Sequence, residues 1–344
     1  MTKHFQTHVH HSPRPAWGGW FFALLIGTLL ATGCEDDDVT PPSFRPEINI
    51  SEPSLYPEGV DYDPTRQTFL VGSFRRGEIG TLDSATGAYA RLVNDPQLVS
   101  VTGILVDAEN NRLYAASADA GLAERSGPDG TTAGTHAYLG VYDLRTGERL
   151  RGIDLKSLTP GAGAFPNDLA LTPDGSLYLT DSFSPVIYRI ETGSFAATVF
   201  VNGGEDFTPT PGGFGLNGIV ALGNDLLVAK TDDGTLWRVP LTTPTDYTRV
   251  IADTLPGVDG LELDAAGNLV AVLNGLTPSA GVVTLRSLDG YLIANVIDRV
   301  SSTADAFPTT ATLAEDGEVY YLESYLSRTL MGDFSREDFA LKRR

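Results

Sequence analysis

Cysteine occurs once in this 344-residue chain, at Cys34. An internal disulfide framework is therefore excluded, and so is a thiolate metal site within a fold. Histidine is nearly as scarce. His4, His8, His10 and His11 crowd the N-terminus, which leaves His136 alone in the rest of the chain. A histidine pair at a catalytic centre is excluded with them. Lysine is confined to Lys3, Lys156, Lys230 and Lys342. Acidic residues outnumber basic ones 44 to 24, for a formal net charge of −20. Setting aside residues 1–33, which hold only Lys3 and Arg14 as charged groups, the remainder carries −22. Nucleic acid and anionic membrane surfaces are poor partners for such a chain. An acidic, lysine-poor surface fits either adaptation to high salt or an ordinary extracytoplasmic protein. Helical periodicity, with apolar residues at i, i+3, i+4 and i+7, is almost absent after residue 46.

The one long apolar run, from Ala16 to Gly33, follows Lys3 and Arg14 and ends in Leu30-Ala31-Thr32-Gly33-Cys34. A basic start, an apolar middle and a small-residue end are the layout of a secretory signal. The final five residues resemble a bacterial lipobox, with Ala31 where leucine is more usual. That resemblance implies lipidation of Cys34 after cleavage before it, and a place in the bacterial cell envelope, on the periplasmic or the cell-surface face of the outer membrane. A single transmembrane anchor is the other reading of the same run. Glu35, Asp36, Asp37 and Asp38, then Pro41, Pro42 and Pro46, read as a solvated tether. The chain is thus expected to divide into a signal peptide (1–33), a tether (34–46) and one repeat domain (47–340), with the membrane met only through lipid on Cys34.

Six stretches of that domain rhyme. They begin at Glu58, Thr102, Asn167, Asn217, Asp259 and Thr309, with steps of 44, 65, 50, 42 and 50 residues. Each is usually followed by a turn and then an apolar run such as SLYLTD, DLLVAK or NLVAVL. Periods of this length mean propeller blades or helical repeats, and the missing helical periodicity decides for blades. Short runs of Val, Leu, Ile, Tyr and Phe bounded by Gly, Asp, Asn and Pro read as strands. The expectation is an all-β, six-bladed propeller with four-stranded blades. Closure must hide the last edge, and Glu47–Ile50 and Phe339–Lys342 are rival closing strands. The long step contains an insertion, Ala118 to His136, which reads as a loop over one face, either a disordered surface excursion or a functional lid. Arg75 and Arg76 sit on a hairpin turn and are expected to face solvent.

Equivalent positions in different blades are related by rotation about one axis. Glu58, Asn167, Asn217 and Asp259 should therefore point at one spot. Two carboxylates and two amide oxygens form a hard-oxygen set of the kind Ca²⁺ prefers. Any one Asn-Gly or Asp-Gly is an ordinary turn former; four in repeat phase are not.

The segments YPEGVDYDPTRQTFLVGS, FPNDLALTPDGSLYLTDS, GLNGIVALGNDLLVAK and GVDGLELDAAGNLVAVLNG resemble the gluconolactonase and regucalcin (senescence-marker) family. They also resemble the wider six-bladed group that includes squid-type diisopropyl fluorophosphatase and the paraoxonases. The resemblance covers roughly residues 50–330. It implies a catalytic divalent metal, usually calcium, held by Glu58, Asn167, Asn217 and Asp259 in their Pro-Glu-Gly, Pro-Asn-Asp, Leu-Asn-Gly and Val-Asp-Gly settings. It departs from the paraoxonases in lacking their histidine pair. The plant strictosidine-synthase branch shares the propeller but not this quartet.

The expected function is a calcium-dependent hydrolase of lactones or related esters, acting as a monomer on a small molecule. Asp259 is the candidate general base or nucleophile, with Glu58 second for that role. Thr102, Thr309 and Thr310 are candidates for lining the channel, and Phe214 for covering the pocket. Asp168 is a candidate partner of the ligands. A binding propeller with a structural calcium is the alternative, since propellers host both.

Overall fold

The computed structural model describes residues 44–128 and 131–344. Cys34, the signal and most of the tether lie outside them. Among the described residues, twenty-four strands form six four-stranded antiparallel sheets. The first described strand is β1 (Glu47–Ser51). Blade 1 then follows as β2 (Pro57–Asp63), β3 (Thr68–Ser73), β4 (Ile79–Leu82) and β5 (Tyr89–Val93). Blade 2 is β6 (Ser100–Asp107), β7 (Arg112–Ala118), β8 (Tyr138–Asp143) and β9 (Arg149–Asp154). Blade 3 is β10 (Pro166–Leu171), β11 (Ser176–Asp181), β12 (Val186–Glu191) and β13 (Ala196–Asn202). Blade 4 is β14 (Leu216–Leu222), β15 (Asp225–Lys230), β16 (Thr235–Pro240) and β17 (Thr248–Arg249). Blade 5 is β18 (Val258–Leu263), β19 (Leu269–Leu273), β20 (Gly281–Arg286) and β21 (Asn295–Ser301). Blade 6 is β22 (Pro308–Leu313), β23 (Val319–Glu323), β24 (Asp338–Arg343) and β1.

Burial follows position in the blade. Second strands such as β19 are packed between neighbouring blades on both faces and read as unbroken apolar runs. Outer strands such as β21 face solvent along most of their length. Blade 6 uses both rival closing strands. Phe339–Lys342 supplies the third strand and Glu47–Ile50 the fourth, with Ile50 opposite Phe339 and Ile48 opposite Leu341. These four side chains are buried in one apolar cluster with Tyr56 and Tyr320. Phe44 extends the cluster, with its ring 5.6 Å from Tyr62 and 6.0 Å from Tyr320. The first described strand thus completes the last blade and covers its edge. Ile50→Ala is expected to lower the stability of the whole propeller by about 2–5 kcal/mol, read by urea denaturation.

The insertion is tied down rather than loose. Arg125 Nη1 donates to the carbonyls of Gly77, Asp95 and Leu98 at 2.5, 2.7 and 3.0 Å. Asp119 accepts from Gly121 N and from the hydroxyls of Ser126 and Thr132. Arg75 donates to Leu122 O and lies 3.8 Å over the Phe334 ring. Arg76 pairs with Glu52 at 2.6 Å and with Glu78. Both arginine side chains are 19% exposed, so the expectation that they face solvent is corrected. They instead bind the insertion and the segment before β1's partner strand to blade 1.

Candidate metal centre

The innermost strands do not run straight into register. In each blade the pairing with the second strand slips near the start of the innermost strand, as between Leu216 and Ile219 or Val258 and Leu261. Such a bulge re-aims a side chain. Glu58, Asn167, Asn217, Asp259 and Thr309 are each the second residue of their innermost strand, inside the slip. The following residue is often glycine because the next blade crosses there. A Cβ at Gly218 would lie 2.3 Å from Asp259 O, and one at Gly103 would lie 2.3 Å from Asn167 O.

Glu58, Asn167, Asn217 and Asp259 are all buried, and all four form walls shared by two cavities. One cavity is the axial channel, of ≈ 200 Å³. The other lies above it and opens among Phe74, Phe165, Phe214, Phe307, Leu276 and Leu330. The structure thus brings together the four residues that repeat phase and the family resemblance singled out.

A second repeat position orients them. The residue just after the second strand is Ser182 in blade 3, Thr231 in blade 4, Asn274 in blade 5 and Ser324 in blade 6. Asn167 Nδ2 donates to Ser182 Oγ at 3.0 Å, and Asn217 Nδ2 donates to Thr231 Oγ1 at 3.0 Å. Each hydroxyl spends its own proton on the next blade, Ser182 on Leu216 O and Thr231 on Val258 O, both at 2.7 Å. The hydroxyls must therefore accept from the amides. This fixes which end of each amide is nitrogen and leaves Oδ1 of Asn167 and Asn217 for the axis. Asn274 Nδ2 likewise donates to Asp259 Oδ2 at 2.9 Å. Blade 1 carries Phe74 at the same position, which offers nothing to Glu58. Glu58 Oε2 is accordingly buried with no hydrogen-bond partner.

The electrostatics follow. Burial raises the Glu58 carboxyl well above its usual range, and the charges of Asp259 and Asp168 raise it further. Burial raises Asp259 to about 7, offset in part by the amides of Asn274 and Asn217. An orphaned oxygen, two repelling carboxylates and two oriented amide oxygens form a donor set that fits a hard divalent cation. Among the described residues, no group of three or more Asp, Glu, His or Cys side chains forms a metal site. The quartet has two carboxylates and draws its other oxygens from amides.

Further down the channel, Asp61, Asp168 and Glu262 stand on alternate blades. Each takes a backbone N–H of the next blade: Val106 N at 2.7 Å, Ile219 N at 3.1 Å and Leu313 N at 3.3 Å. Burial raises them to about 6, 7 and 8 respectively. Asp168, a candidate partner of the ligands, thus ties blade 3 to blade 4. Thr102 lines the channel and donates to Pro166 O at 2.7 Å. Thr310 also lines the channel. The Thr309 hydroxyl is 3.0 Å from Glu58 O and 2.8 Å from Ser324 Oγ, and acts as a latch between blades. Phe214 lines the upper cavity, with its ring 5.3 Å from both Phe165 and Phe183. His136 lies at a separate surface hollow, 3.3 Å from Ser117 Oγ, with burial lowering its pKa.

No protein-family model matches the chain. It is 25% identical to Trichothecene biosynthesis protein 14 of Trichoderma arundinaceum, in an alignment covering 94% of each. Among solved structures it resembles the major allergen Mala s 1 of Malassezia sympodialis (TM-score 0.69, 18% identity, 88% of this chain and 96% of that one). It also resembles a gluconolactonase of Xanthomonas campestris (0.59, 14%, 87% and 89%). A calcium-binding regucalcin of Agrobacterium tumefaciens is similar too (0.57, 18%, 88% and 96%). At these identities the likeness establishes the fold: the six-bladed propeller of gluconolactonase and regucalcin.

Proposed function

We propose that this protein is a calcium-dependent hydrolase of lactones or related esters. The observation that carries the reading is that Glu58, Asn167, Asn217 and Asp259 share one place between the axial channel and an open cavity. The gluconolactonase and regucalcin likenesses support it in substrate class and in metal. Calcium bound there would polarise a carbonyl or phosphoryl oxygen as a Lewis acid. Asn167, Asn217, Glu58 and Asp259 would be ligands. Asp259 has one oxygen held by Asn274, which leaves the other for chemistry. It takes the proton of a water whose oxygen attacks the carbonyl carbon; the carbon–oxygen bond of the ester then breaks, and the leaving alkoxide receives the proton.

The test is hydrolysis of lactones, aryl esters and phosphotriesters by residues 35–344, with calcium and after EDTA. Turnover that vanishes with EDTA and returns with calcium supports the reading. A binding propeller with a structural calcium is the second reading, favoured by the lack of His, Lys, Arg or Tyr among the described residues of the upper cavity. It takes first place if no substrate turns over with calcium bound.

The hydroxyl latches allow a separate check. Ser182→Ala and Thr231→Ala free the amides to turn their nitrogens toward the axis. Each is expected to weaken calcium binding about 10–100-fold, measured by calorimetry, with the fold kept. We also propose that the protein is a lipid-anchored monomer of the bacterial envelope. Cys34→Ser is expected to leave the precursor uncut and unlipidated, read by gel mobility and membrane fractionation.

A further inference from the structure

We propose that the substrate of this site is a small, neutral, apolar lactone or ester, not a polyhydroxylated sugar lactone. This inference rests on the hydrolase reading for its chemistry, but on the cavity walls for its specificity.

Above the quartet, the cavity is walled by Phe74, Phe165, Phe214, Phe307, Leu276 and Leu330. The apolar lining continues to the rim, where Leu276 and Leu330 are 51% and 55% exposed, and the adjacent Met331 is 73% exposed. Phe165, Phe183 and Phe214 pack with ring centroids 4.9–5.3 Å apart, which holds one wall rigid. Ala120, from the tied-down insertion, closes part of another side.

Few polar groups line the cavity besides the quartet, and they are already engaged. Thr231 Oγ1 donates to Val258 O and accepts from Asn217. Asn274 donates to Asp259 and accepts from Leu276 N at 3.1 Å. Thr329 Oγ1 donates to Leu326 O at 2.7 Å. Among the described residues, no cationic side chain lines the cavity. A sugar lactone would bring several hydroxyls into this space and lose their water without replacement. Each unmatched hydroxyl weakens binding by roughly tenfold or more. An alkyl or aryl group would meet aromatic and aliphatic walls and gain from burial. An anionic substrate would meet no counter-charge except the bound cation.

The cavity is narrow, ≈ 70 Å³, and opens at the leucine rim. A small ring takes up this volume, so a short chain on it would extend along the open leucine rim. Affinity should therefore rise with the first few methylenes, by about fourfold for each one buried, and then level off.

Two measurements on residues 35–344 in calcium separate this inference from the reading beneath it. The first is kcat/KM for γ-butyrolactone, γ-hexalactone, γ-octalactone and glucono-δ-lactone. The second is calorimetric binding of the matching 5-alkyl-2-pyrrolidinones, lactams that resist hydrolysis. Expected are a rise along the alkyl series in both, and glucono-δ-lactone turned over at least 100-fold less efficiently than γ-octalactone. Phe214→Ser and Leu276→Ser change partly exposed side chains and should fold. Each should flatten the alkyl dependence in the lactam series while leaving calcium affinity unchanged. Glucono-δ-lactone hydrolysed as well as the alkyl lactones would overturn the inference and leave the hydrolase standing. Lactam binding that rises with chain length, with no turnover of any lactone, would uphold the apolar cavity and remove the hydrolase. Lactam affinity indifferent to chain length, or to both variants, would overturn the inference by itself.

Discussion

Asp259→Asn is expected to cut hydrolysis by about 10²–10⁴-fold at saturating calcium, with the propeller still folded. The substitution keeps an oxygen but removes the charge and the basic function. It also disturbs a fixed contact, because Asp259 Oδ2 accepts from Asn274 Nδ2 at 2.9 Å. The new amide can give its oxygen to Asn274 or to the axis, but not to both. Calcium affinity should therefore fall as well, and rates must be compared with the site filled. Loss that persists at saturation assigns Asp259 to the chemistry. Activity that returns fully at high calcium makes Asp259 a ligand only.

Calcium should also change stability, and the change should depend on pH. Saturation at a hundred times Kd adds about 2.7 kcal/mol, which for a domain of this size raises Tm by about 4 °C. The direction with pH follows from the carboxyls. Glu58 is held well above its usual range and Asp259 at about 7, so the folded state without metal keeps protons that the unfolded chain has released. Their destabilising effect is absent below about pH 4 and grows as the pH rises through about 7. Asp61, Asp168 and Glu262 push the same way, up to about 6, 7 and 8. Calcium favours the ionised forms of Glu58 and Asp259, so it must displace their protons at low pH. Its gain in Tm should be small near pH 5 and largest near pH 8. Thermal scans with calcium and with EDTA across that range check this. A gain that shrinks as pH rises would contradict the burial of these two carboxyls.

The blade count was readable because each blade repeats one physical demand. An innermost strand, a turn and a doubly covered second strand leave the same marks six times, as in LALTPDGSLYLTD. The lead residues were readable because rotation about an axis turns sequence phase into convergence. Closure was only half readable. Glu47–Ile50 and Phe339–Lys342 look alike as strands, and nothing local says that they pair with each other. The latches were missed although they carry a signal. Ser182, Thr231, Asn274 and Ser324 occupy one repeat position, just past each apolar run, where a polar residue looks like a strand end. Phe74 at that position in blade 1 is what leaves Glu58 without a partner. Asp61 and Glu262 were missed because their backbone bonds reach into the next blade. Arg75 and Arg76 were misjudged because their partners, Phe334, Leu122 and Glu52, are remote in sequence or hidden in loops.

Convergence of Glu58, Asn167, Asn217 and Asp259 on one cation is tested most directly by diffraction from crystals grown with terbium in place of calcium. The expected anomalous map shows one strong peak on the propeller axis, about 2.3–2.6 Å from an oxygen of each of the four side chains. A map with no peak there, or with the terbium held elsewhere while the four oxygens stay unshared, would contradict it.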